Sequence, residues 1–455
     1  MKSIHLIGIG GTGLSAIARV LLESGYTVSG SDRQDSAALQ QLSALGAKTY
    51  IGHRAENVGA VDVVVRSSAV PDTNPEVISA LEKGIPVQKR SQFLSTLMEG
   101  KQCIAVAGTH GKTTTTAMIA WMLHNAGLDP SYIIGSDAKN LHNNAHAGNG
   151  ATFVIEADEY DRMFHGLTPY LAVLTNLEHD HPDCYPTLQE YQQAFLTFIG
   201  KVTPEGKLIL NWDDNGNRLL AKQLSPDTGL ITYGLDHDAQ KSATDVELQC
   251  NGCYRFIYPT NRGTAITCAL QVPGMHNVQN AMAALVVAEE LKLDLGQAAS
   301  SLSKFVGTGR RMDIIGEPNG ITIIDDYAHH PTEIRATLQA LRDRYPNRRI
   351  WTVWQPHTYS RTMTLFDQYK QAFTATDQLI ITPIYAARET NPGFEIQTLA
   401  DQIENAQTHH IDSFEKITQY LLAHLKSGDV LIILSAGDAV QISKAVLAAL
   451  SAGTK

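Results

Sequence analysis

The chain has 455 residues, of which 43% are hydrophobic and 18% are charged, and its formal net charge at pH 7 is −10. This length predicts about two to three domains, and the acidic balance argues against nucleic acid or an anionic membrane as the main partner. No run of about 18 apolar residues predicts a membrane-spanning helix. Five scattered cysteines and no signal-peptide pattern predict a cytoplasmic protein.

The first predicted strand, residues 4–7, leads into Gly8-Ile9-Gly10-Gly11-Thr12-Gly13 and a helix that ends at Gly25. A second strand follows, and Asp32 lies just past its end, which completes a βαβ unit of the Rossmann type. The glycines allow close approach of a pyrophosphate, and a dinucleotide or a nucleotide sugar satisfies this pattern equally. Residues 1–100 are therefore predicted to form a Rossmann-like domain.

A second glycine loop, Gly108-Thr109-His110-Gly111-Lys112-Thr113-Thr114, follows the apolar run 102–106 and precedes apolar residues at helical spacing. Such a loop turns backbone N–H groups and a helix N-terminus toward one point, which suits a polyphosphate. Lys112 adds a charge, and the Thr113 hydroxyl can reach Mg²⁺. Position 106 is Val106 rather than the glycine of the general P-loop, so the match is to the shorter G-T-x-G-K-T form. It predicts bound ATP or GTP.

Acids and histidines follow the next two predicted strands of this domain. Glu156 ends the strand 153–155, and His181 follows the strand 171–174. Groups at the carboxyl ends of parallel strands face the ligand crevice, and oxygen ligands beside a phosphate loop suit magnesium. Thr113, Glu156 and His181 are therefore the predicted metal ligands. The polar stretch 137–150 is predicted to be a surface loop.

Apolar and polar residues alternate over residues 246–257 on both sides of Asn251-Gly252, which predicts a β-hairpin. The hairpin tip accounts for the C-x-x-C spacing of Cys250 and Cys253 better than a metal site does, because no second pair lies near it. Farther on, Asn277 and Asn280 share one face of a predicted helix start, where their amides could read a nucleobase or simply cap the helix.

The paired arginines 310–311 follow a short segment that contains two glycines, which indicates a hinge into a third domain. Predicted strands 321–324, 350–354, 379–381 and 430–434 each end in polar residues and alternate with helices. The predicted fold is therefore α/β with three domains: Rossmann-like (1–100), P-loop ATPase-type (101–307) and C-terminal α/β (308–455).

Taken in order, the chain contains G-I-G-G-x-G, G-T-H-G-K-T-T-T-T, E-A-D-E, T-N-x-x-x-D-H, P-G-x-H-N-x-x-N, G-x-x-R-R, D-D-Y-A-H-H-P-T-E, Q-P-H-x-Y-x-R-T and A-G-D. This set resembles the Mur ligases over essentially the whole chain, and especially the members that add L-alanine to UDP-N-acetylmuramate. The resemblance implies that the first glycine loop binds a UDP-sugar rather than NAD, through Gly8, Gly10, Gly11, Gly13, Asp32 and Ser67.

The activity that the resemblance implies is ATP-dependent amide formation in peptidoglycan precursor synthesis. The muramoyl carboxylate attacks the γ-phosphate of ATP, and L-alanine takes up the resulting acyl phosphate. Lys112, Glu156 and His181 would be catalytic, with Mg²⁺ as cofactor. The implied ATP site comprises Gly108, Thr109, His110, Gly111, Lys112, Thr113, Thr114, Asn277, Asn280, Arg311 and Asp326, and the implied amino-acid side comprises His329, His330, Arg361 and Arg388.

Three positions depart from the family pattern. Tyr160 replaces a common serine, and tyrosine is typical of relatives that attach a recycled tripeptide, so the amine is left open between L-alanine and a tripeptide. Phe195 stands where sister ligases carry a carbamylated lysine, so no such modification is expected. Met312 replaces a frequent phenylalanine at similar volume. A P-loop regulatory ATPase and a dehydrogenase are the more distant alternatives, and the expected assembly is a monomer or homodimer.

Overall fold

The computed structural model describes residues 2–404 and 407–452. Within these ranges the strands form four sheets, of five, eight, three and six strands, and follow one another along the chain. The alternating strands and helices confirm an α/β fold in successive units. None of the helices in the described ranges is both long and apolar enough to cross a membrane.

The first sheet is parallel, with the order β3-β2-β1-β4-β5. Buried isoleucine, leucine and valine lie in its three central strands, as expected for a sheet covered on both faces. Its strands are Ser3–Ile7 (β1), Thr27–Asp32 (β2), Lys48–Ile51 (β3), Val63–Arg66 (β4) and Val87–Lys89 (β5), and its helices are Thr12–Glu23 (α1), Ala37–Ala44 (α2), Pro75–Glu82 (α3) and Arg90–Leu97 (α4).

A buried polar network holds β1, β2 and α3 together around the carboxylate of Glu76. Its oxygens accept hydrogen bonds from Ser31 (2.5 Å) and Asn57 (2.5 Å) and lie 3.4 Å from His5 Nε2. Burial by itself would raise the pKa of Glu76, but hydrogen bonds from His5, Ser31 and Asn57 lower it to about 2. The folded protein therefore stabilises the ionised carboxylate.

Glu76→Gln is expected to lower the free energy of unfolding at pH 7 by about 3 kcal/mol. Because the folded pKa is depressed, the stabilisation is present above about pH 5 and is lost as the pH falls toward 2. Chemical denaturation at pH 7, 5 and 3 should show this loss in the wild type and a flatter dependence in the variant. Glu205 is exposed, so Glu205→Gln serves as the control. Equal stability of Glu76→Gln and Glu205→Gln at pH 7 would refute the stabilisation of the ionised Glu76 carboxylate by the folded protein.

The central sheet has the order β13-β12-β11-β10-β6-β9-β7-β8, which places β6 between β10 and β9. Its strands are Gln102–Ala107 (β6), Ser131–Ala138 (β7), Asn143–His146 (β8), Thr152–Glu156 (β9), Leu171–Leu174 (β10), Lys207–Asn211 (β11), Leu230–Gly234 (β12) and Lys241–Ser242 (β13). The helices of this unit are Lys112–Asn125 (α5), Leu188–Ile199 (α6), Asn215–Ala221 (α7), Met275–Glu290 (α8) and Leu295–Leu302 (α9).

The prediction of a surface loop over residues 137–150 is wrong in part. Strand β7 extends to Ala138, and β8 pairs with it in the antiparallel direction. The predicted hairpin is confirmed: Thr244–Leu248 (β14) and Cys253–Pro259 (β15) are antiparallel, and Ala265–Pro273 (β16) adds to them. Cys250 is exposed and Cys253 is buried, and in the described part of the chain neither belongs to a group of three potential metal ligands.

The C-terminal sheet has the order β17-β18-β22-β19-β20-β21, and β17 is its antiparallel edge. The strands are Asp313–Gly316 (β17), Thr322–Asp326 (β18), Ile350–Trp354 (β19), Gln378–Ile381 (β20), Gln407–His410 (β21) and Val430–Leu434 (β22). The helices are Pro331–Arg344 (α10), Tyr359–Thr364 (α11), Phe366–Lys370 (α12), Gln397–Ala400 (α13), Phe414–His424 (α14) and Val440–Ala452 (α15).

Candidate functional site

Two cavities lie beside the loop between β6 and α5. One has a volume of about 550 Å³ and is lined by the start of α8 and by residues of the C-terminal unit, including Arg311 and Asp326. The other, of about 1090 Å³, reaches from the start of α1 across Lys112 and Glu156 to Arg361 and Arg388. These volumes suit small-molecule ligands, and the phosphate loop borders both cavities.

The phosphate loop has a backbone shape that only glycine accommodates at its start. Gly108 has φ +129°, and a Cβ there would lie 2.1 Å from the Thr175 hydroxyl oxygen. The side chain of Asn176 fixes the middle of the loop by accepting a hydrogen bond from the His110 amide at 2.8 Å. The first amides of α5, which begins at Lys112, have no partner within the helix and can receive an anion.

Lys112 is held by the loop and by a buried acid. Its ammonium donates to the carbonyls of Gly108 (2.6 Å) and Thr109 (3.1 Å) and to Glu159 (2.9 Å). Burial would lower the pKa of Lys112, but the Glu159 carboxylate raises it, so the ammonium stays charged. Since an ammonium has three N–H donors, a phosphate oxygen can bind only by replacing one of these contacts.

The Thr113 hydroxyl and the Glu156 carboxylate form the oxygen pair that suits magnesium. Thr113 donates to Glu156 Oε1 at 3.0 Å, and the Gly135 amide donates to Glu156 Oε2 at 2.7 Å. Two ligands of octahedral Mg²⁺, with bonds of about 2.1 Å, are about 3 Å apart. The spacing of the pair therefore suits two ligands of a magnesium ion, which would replace the hydrogen bond between them. Burial raises the pKa of Glu156 in the absence of such a charge.

His181 lines the same cavity but contacts different acids. Its Nε2 lies 3.5 Å from Glu159 Oε1 and 3.7 Å from Asp180 Oδ2, and its ring packs edge-on against Tyr160. Burial would lower the pKa of His181, but the charge of Asp180 raises it. The structure therefore pairs Thr113 with Glu156 and places His181 with Glu159 and Asp180.

The smaller cavity contains the predicted adenosine-side residues, but their polar groups also bond within the protein. The Asn280 amide donates to Asn277 Oδ1 at 3.0 Å, and the Thr115 hydroxyl donates to Asn280 Oδ1 at 3.0 Å. Asp326 accepts hydrogen bonds from the Met312 and Ala328 amides, each at 2.7 Å, and burial raises its pKa to about 6. Besides any contact with a ligand, these groups therefore hold the wall of the cavity in place.

The first glycine loop satisfies its own amides. Gly8 and Ile9 donate to the Ser31 carbonyl at 2.8 and 3.1 Å, and Gly10 donates to the Asp32 carboxylate at 2.9 Å. Asp32 therefore fixes the loop, and the Gly11 amide donates to the Gly8 carbonyl at 3.1 Å. Ser67 packs beneath Gly8, where an added Cβ would lie 3.2 Å from the serine Cβ.

The start of α1, rather than the loop before it, opens onto the larger cavity through Thr12 and Gly13. Arg90 crosses this helix end so closely that a Cβ on Gly13 would overlap its guanidinium. Arg90 also lies 3.4 Å from Asp158, which follows β9. A helix N-terminus and an arginine thus converge at one end of the larger cavity, an arrangement that suits an anion.

The C-terminal unit closes against the central unit through a buried ion pair. Arg361 Nε and Nη2 lie 2.9 and 2.8 Å from Asp180 Oδ1, and both side chains are 5% exposed. The third guanidinium nitrogen lies 3.0 Å from His357 Nδ1. Burial would raise the pKa of Asp180, but His181 and Arg361 hold it well below its usual range.

The other predicted amino-acid residues lie in different places. His329 lines the larger cavity, contacts the Tyr327 carbonyl at 3.0 Å, and has its pKa lowered by burial to about 3. Arg388, at the exposed rim, donates to the Tyr160 hydroxyl and stacks on its ring. His330 is buried beside His110, with ring centroids 4.6 Å apart.

Five residues of the site were missed by sequence reasoning: Arg90, Glu159, Glu178, Asp180 and Glu333. Four of them lie inside the motifs that were singled out, so the signal was present, but nothing in a motif tells which acid turns inward. Arg90 lies in no such motif.

Phe195 is fully buried against the rings of Phe164 and Tyr191.

Three family descriptions match successive parts of the chain: "Mur ligase family, catalytic domain" at residues 3–102, "Mur ligase middle domain" at residues 106–288, and "Mur ligase, glutamate ligase domain" at residues 310–437. The UDP-N-acetylmuramate--L-alanine ligase of Clostridium novyi is 41% identical over 452 residues, with 98% of each chain covered.

Two solved structures are also similar over nearly the full length. The UDP-N-acetylmuramate-alanine ligase MurC of Thermotoga maritima has a TM-score of 0.84 at 26% identity and covers 100% of both chains. A murein peptide ligase of Psychrobacter arcticus has a TM-score of 0.72 at 29% identity and covers 99% of both chains.

Proposed function

Because the chain belongs to the Mur ligase family, we propose that it is an ATP-dependent ligase that joins L-alanine to the carboxylate of UDP-N-acetylmuramate in peptidoglycan precursor synthesis. The observation that carries this proposal is the larger cavity, which connects the start of α1 with Lys112, Glu156 and Arg361. The full-length similarity to alanine-adding relatives favours L-alanine over a tripeptide.

The ligands are distributed over the three units. The UDP diphosphate binds at the start of α1 and Arg90, which supply N–H groups and a positive charge. ATP occupies the smaller cavity, with its phosphates on the loop from Gly108 to Thr114. The domain ranges 1–100, 101–307 and 308–455 then correspond to UDP-sugar binding, ATP binding and closure over the amino acid.

The first chemical step is attack of the muramoyl carboxylate on the γ-phosphate. Lys112 neutralises the charge that develops on the phosphoryl oxygens. Thr113 and Glu156 would hold Mg²⁺, which supplies further charge neutralisation when bound. His181, held by Glu159 and Asp180, faces the same cavity and orients groups at the reacting end.

In the second step the deprotonated amine of L-alanine bonds to the acyl carbon, and the bond from that carbon to the phosphate oxygen breaks. Inorganic phosphate leaves and takes up the proton that the nitrogen loses. The acyl phosphate must be protected from water, which the contact of Arg361 with Asp180 provides by holding the C-terminal unit over the cavity. His329 and Arg388 lie on this side of the cavity. Burial keeps His329 neutral, so it does not repel the incoming ammonium group.

Release of inorganic phosphate tests the proposal directly. With UDP-N-acetylmuramate, ATP and Mg²⁺ present, L-alanine should start phosphate release, and omission of any one component should stop it. A parallel reaction with the tripeptide tests the second candidate amine. Phosphate release that is independent of amine would favour a regulatory ATPase, and preference for the tripeptide would favour a murein peptide ligase.

Tyr160 is expected to contribute to use of the amine, because its hydroxyl joins Arg388 of the C-terminal unit to Asp183 of the central unit. Tyr160→Phe keeps the ring on His181 but removes these contacts. It should lower kcat/KM for L-alanine about fivefold without changing the KM for the UDP-sugar. Tyr420→Phe serves as the control, because the Tyr420 hydroxyl lies 3.3 Å from His409 Nε2 and lines neither cavity. An unchanged kcat/KM in Tyr160→Phe would contradict a role of the Tyr160 hydroxyl in use of the amine.

A further inference from the structure

Three side chains meet where the phosphate loop touches the C-terminal unit, and we refer to His110, Glu178 and His330 as the interdomain triad. His110 Nε2 lies 3.4 Å from Glu178 Oε2, and His330 Nδ1 lies 3.5 Å from the same oxygen. One donor atom from each residue lies within 4.8 Å of the others. The triad is separate from the Thr113 and Glu156 pair, with which it shares no residue.

The spacing matches the ligand sphere of a transition metal. In a tetrahedral zinc site with bonds of about 2.0 to 2.1 Å, neighbouring ligand atoms are about 3.3 to 3.4 Å apart. The edge from His110 to Glu178 has this length and the edge from His330 to Glu178 is 3.5 Å. A metal ion would replace the Thr332 amide, which donates to His330 Nδ1 at 3.3 Å. Two imidazoles and one carboxylate favour Zn²⁺, Co²⁺ or Ni²⁺, whereas Mg²⁺ favours an all-oxygen set.

The surroundings of the triad also resemble those of a metal site. The second ring nitrogen of His110 lies 3.3 Å from Glu333 Oε1, which is the carboxylate and histidine arrangement that orients metal-bound imidazoles. The Thr332 hydroxyl donates to Glu178 Oε2 at 2.8 Å and orients that carboxylate. The side chains of His110 and His330 are only 10% and 2% exposed, so both rings have fixed positions.

We propose that His110, Glu178 and His330 form a binding site for a divalent transition metal ion of the zinc class. The first two ligands belong to the central unit and the third to the C-terminal unit. A bound ion therefore joins the phosphate loop to the C-terminal unit and restrains their separation. This site goes beyond the proposed ligase activity and does not depend on it.

The test is direct metal binding by the full-length protein after treatment with a chelator, without nucleotide. Zn²⁺ is titrated in competition with a chromophoric chelator, and the visible absorption of bound Co²⁺ reports a site with nitrogen ligands. Wild type is expected to bind one Zn²⁺ that His330→Ala and Glu178→Gln each weaken by more than about 100-fold. Circular dichroism confirms folding, and His330→Gln replaces His330→Ala if the alanine variant is unfolded.

Two controls separate this site from its neighbours. His357→Ala removes another histidine of the C-terminal unit, and Glu156→Gln removes the predicted magnesium ligand; both should retain the Zn²⁺ equivalent and its affinity. Equal affinity in wild type, His330→Ala and Glu178→Gln would overturn the proposal. Loss of the ion in Glu156→Gln alone would also overturn it, because the metal would then bind at the Thr113 and Glu156 pair.

Discussion

Lys112→Ala is expected to reduce ATP-dependent turnover by at least about 10³-fold, while the dissociation constant for UDP-N-acetylmuramate changes by less than about twofold. The ammonium of Lys112 is the charge that neutralises the phosphoryl group in the proposed transfer. The UDP-sugar binds at the start of α1 and Arg90, which the substitution leaves in place. Transition-state stabilisation and sugar binding should therefore separate in this variant.

Loss of Lys112 also leaves the buried Glu159 carboxylate with His181 as its remaining charged neighbour, which costs up to about 3 to 5 kcal/mol. The double variant Lys112→Ala/Glu159→Gln removes the carboxylate charge and should recover stability without recovering turnover. Lys416→Ala, which breaks an exposed ion pair with Asp412, is the matched control and should retain full activity. Weak sugar binding in a stable double variant would mean that the sugar site has been assigned to the wrong part of the chain.

Arg361→Met is expected to lower kcat by at least about 10²-fold, because it removes the buried contact that holds the C-terminal unit on the central one. The methionine keeps an apolar side chain but leaves the buried Asp180 carboxylate with His181 as its remaining charged neighbour, at a cost of up to about 3 to 5 kcal/mol. Asp180→Asn in the same chain should recover part of the stability, since the neutral amide does not need a counter-charge. Thermal unfolding and steady-state rates of both single variants and the double variant give the coupling energy.

Arg349→Met is the matched control for this pair. Arg349 contacts Asp429 at 2.6 Å, but both residues lie in the C-terminal unit. Its loss should lower stability and leave kcat near the wild-type value. If Arg361→Met and Arg349→Met have the same kcat, or if the effects of Arg361→Met and Asp180→Asn simply add, the contact between the units does not serve catalysis.

The central strands were predictable from sequence because they are apolar and end in polar motifs. β22, Val430–Leu434, and β19, Ile350–Trp354, have the predicted bounds. The edge strands β8, Asn143–His146, and β21, Gln407–His410, were missed because polar residues predominate in them. A strand that pairs on one side only needs little apolar sequence, so its pattern resembles a loop.

The arrangement of the site was predictable only in part. The carboxyl ends of β6, β9 and β10 were expected to lie at one edge of a parallel sheet. In the structure this edge brings Thr113 to Glu156. The contacts of Arg361 with Asp180 and of His330 with Glu178 depend on how one unit is oriented on another. No local pattern encodes that orientation, so the partners of these side chains could not be read from the sequence.

The central claim is that the phosphate loop activates a carboxylate that the first domain holds. The most direct measurement uses UDP-N-acetylmuramate with ¹⁸O in both oxygens of the muramoyl carboxylate, together with ATP and L-alanine, and determines the isotope content of the released phosphate by mass spectrometry. Transfer through an acyl phosphate predicts one ¹⁸O atom in each inorganic phosphate, in step with amide formation. Unlabelled phosphate released alongside the amide product would contradict the account.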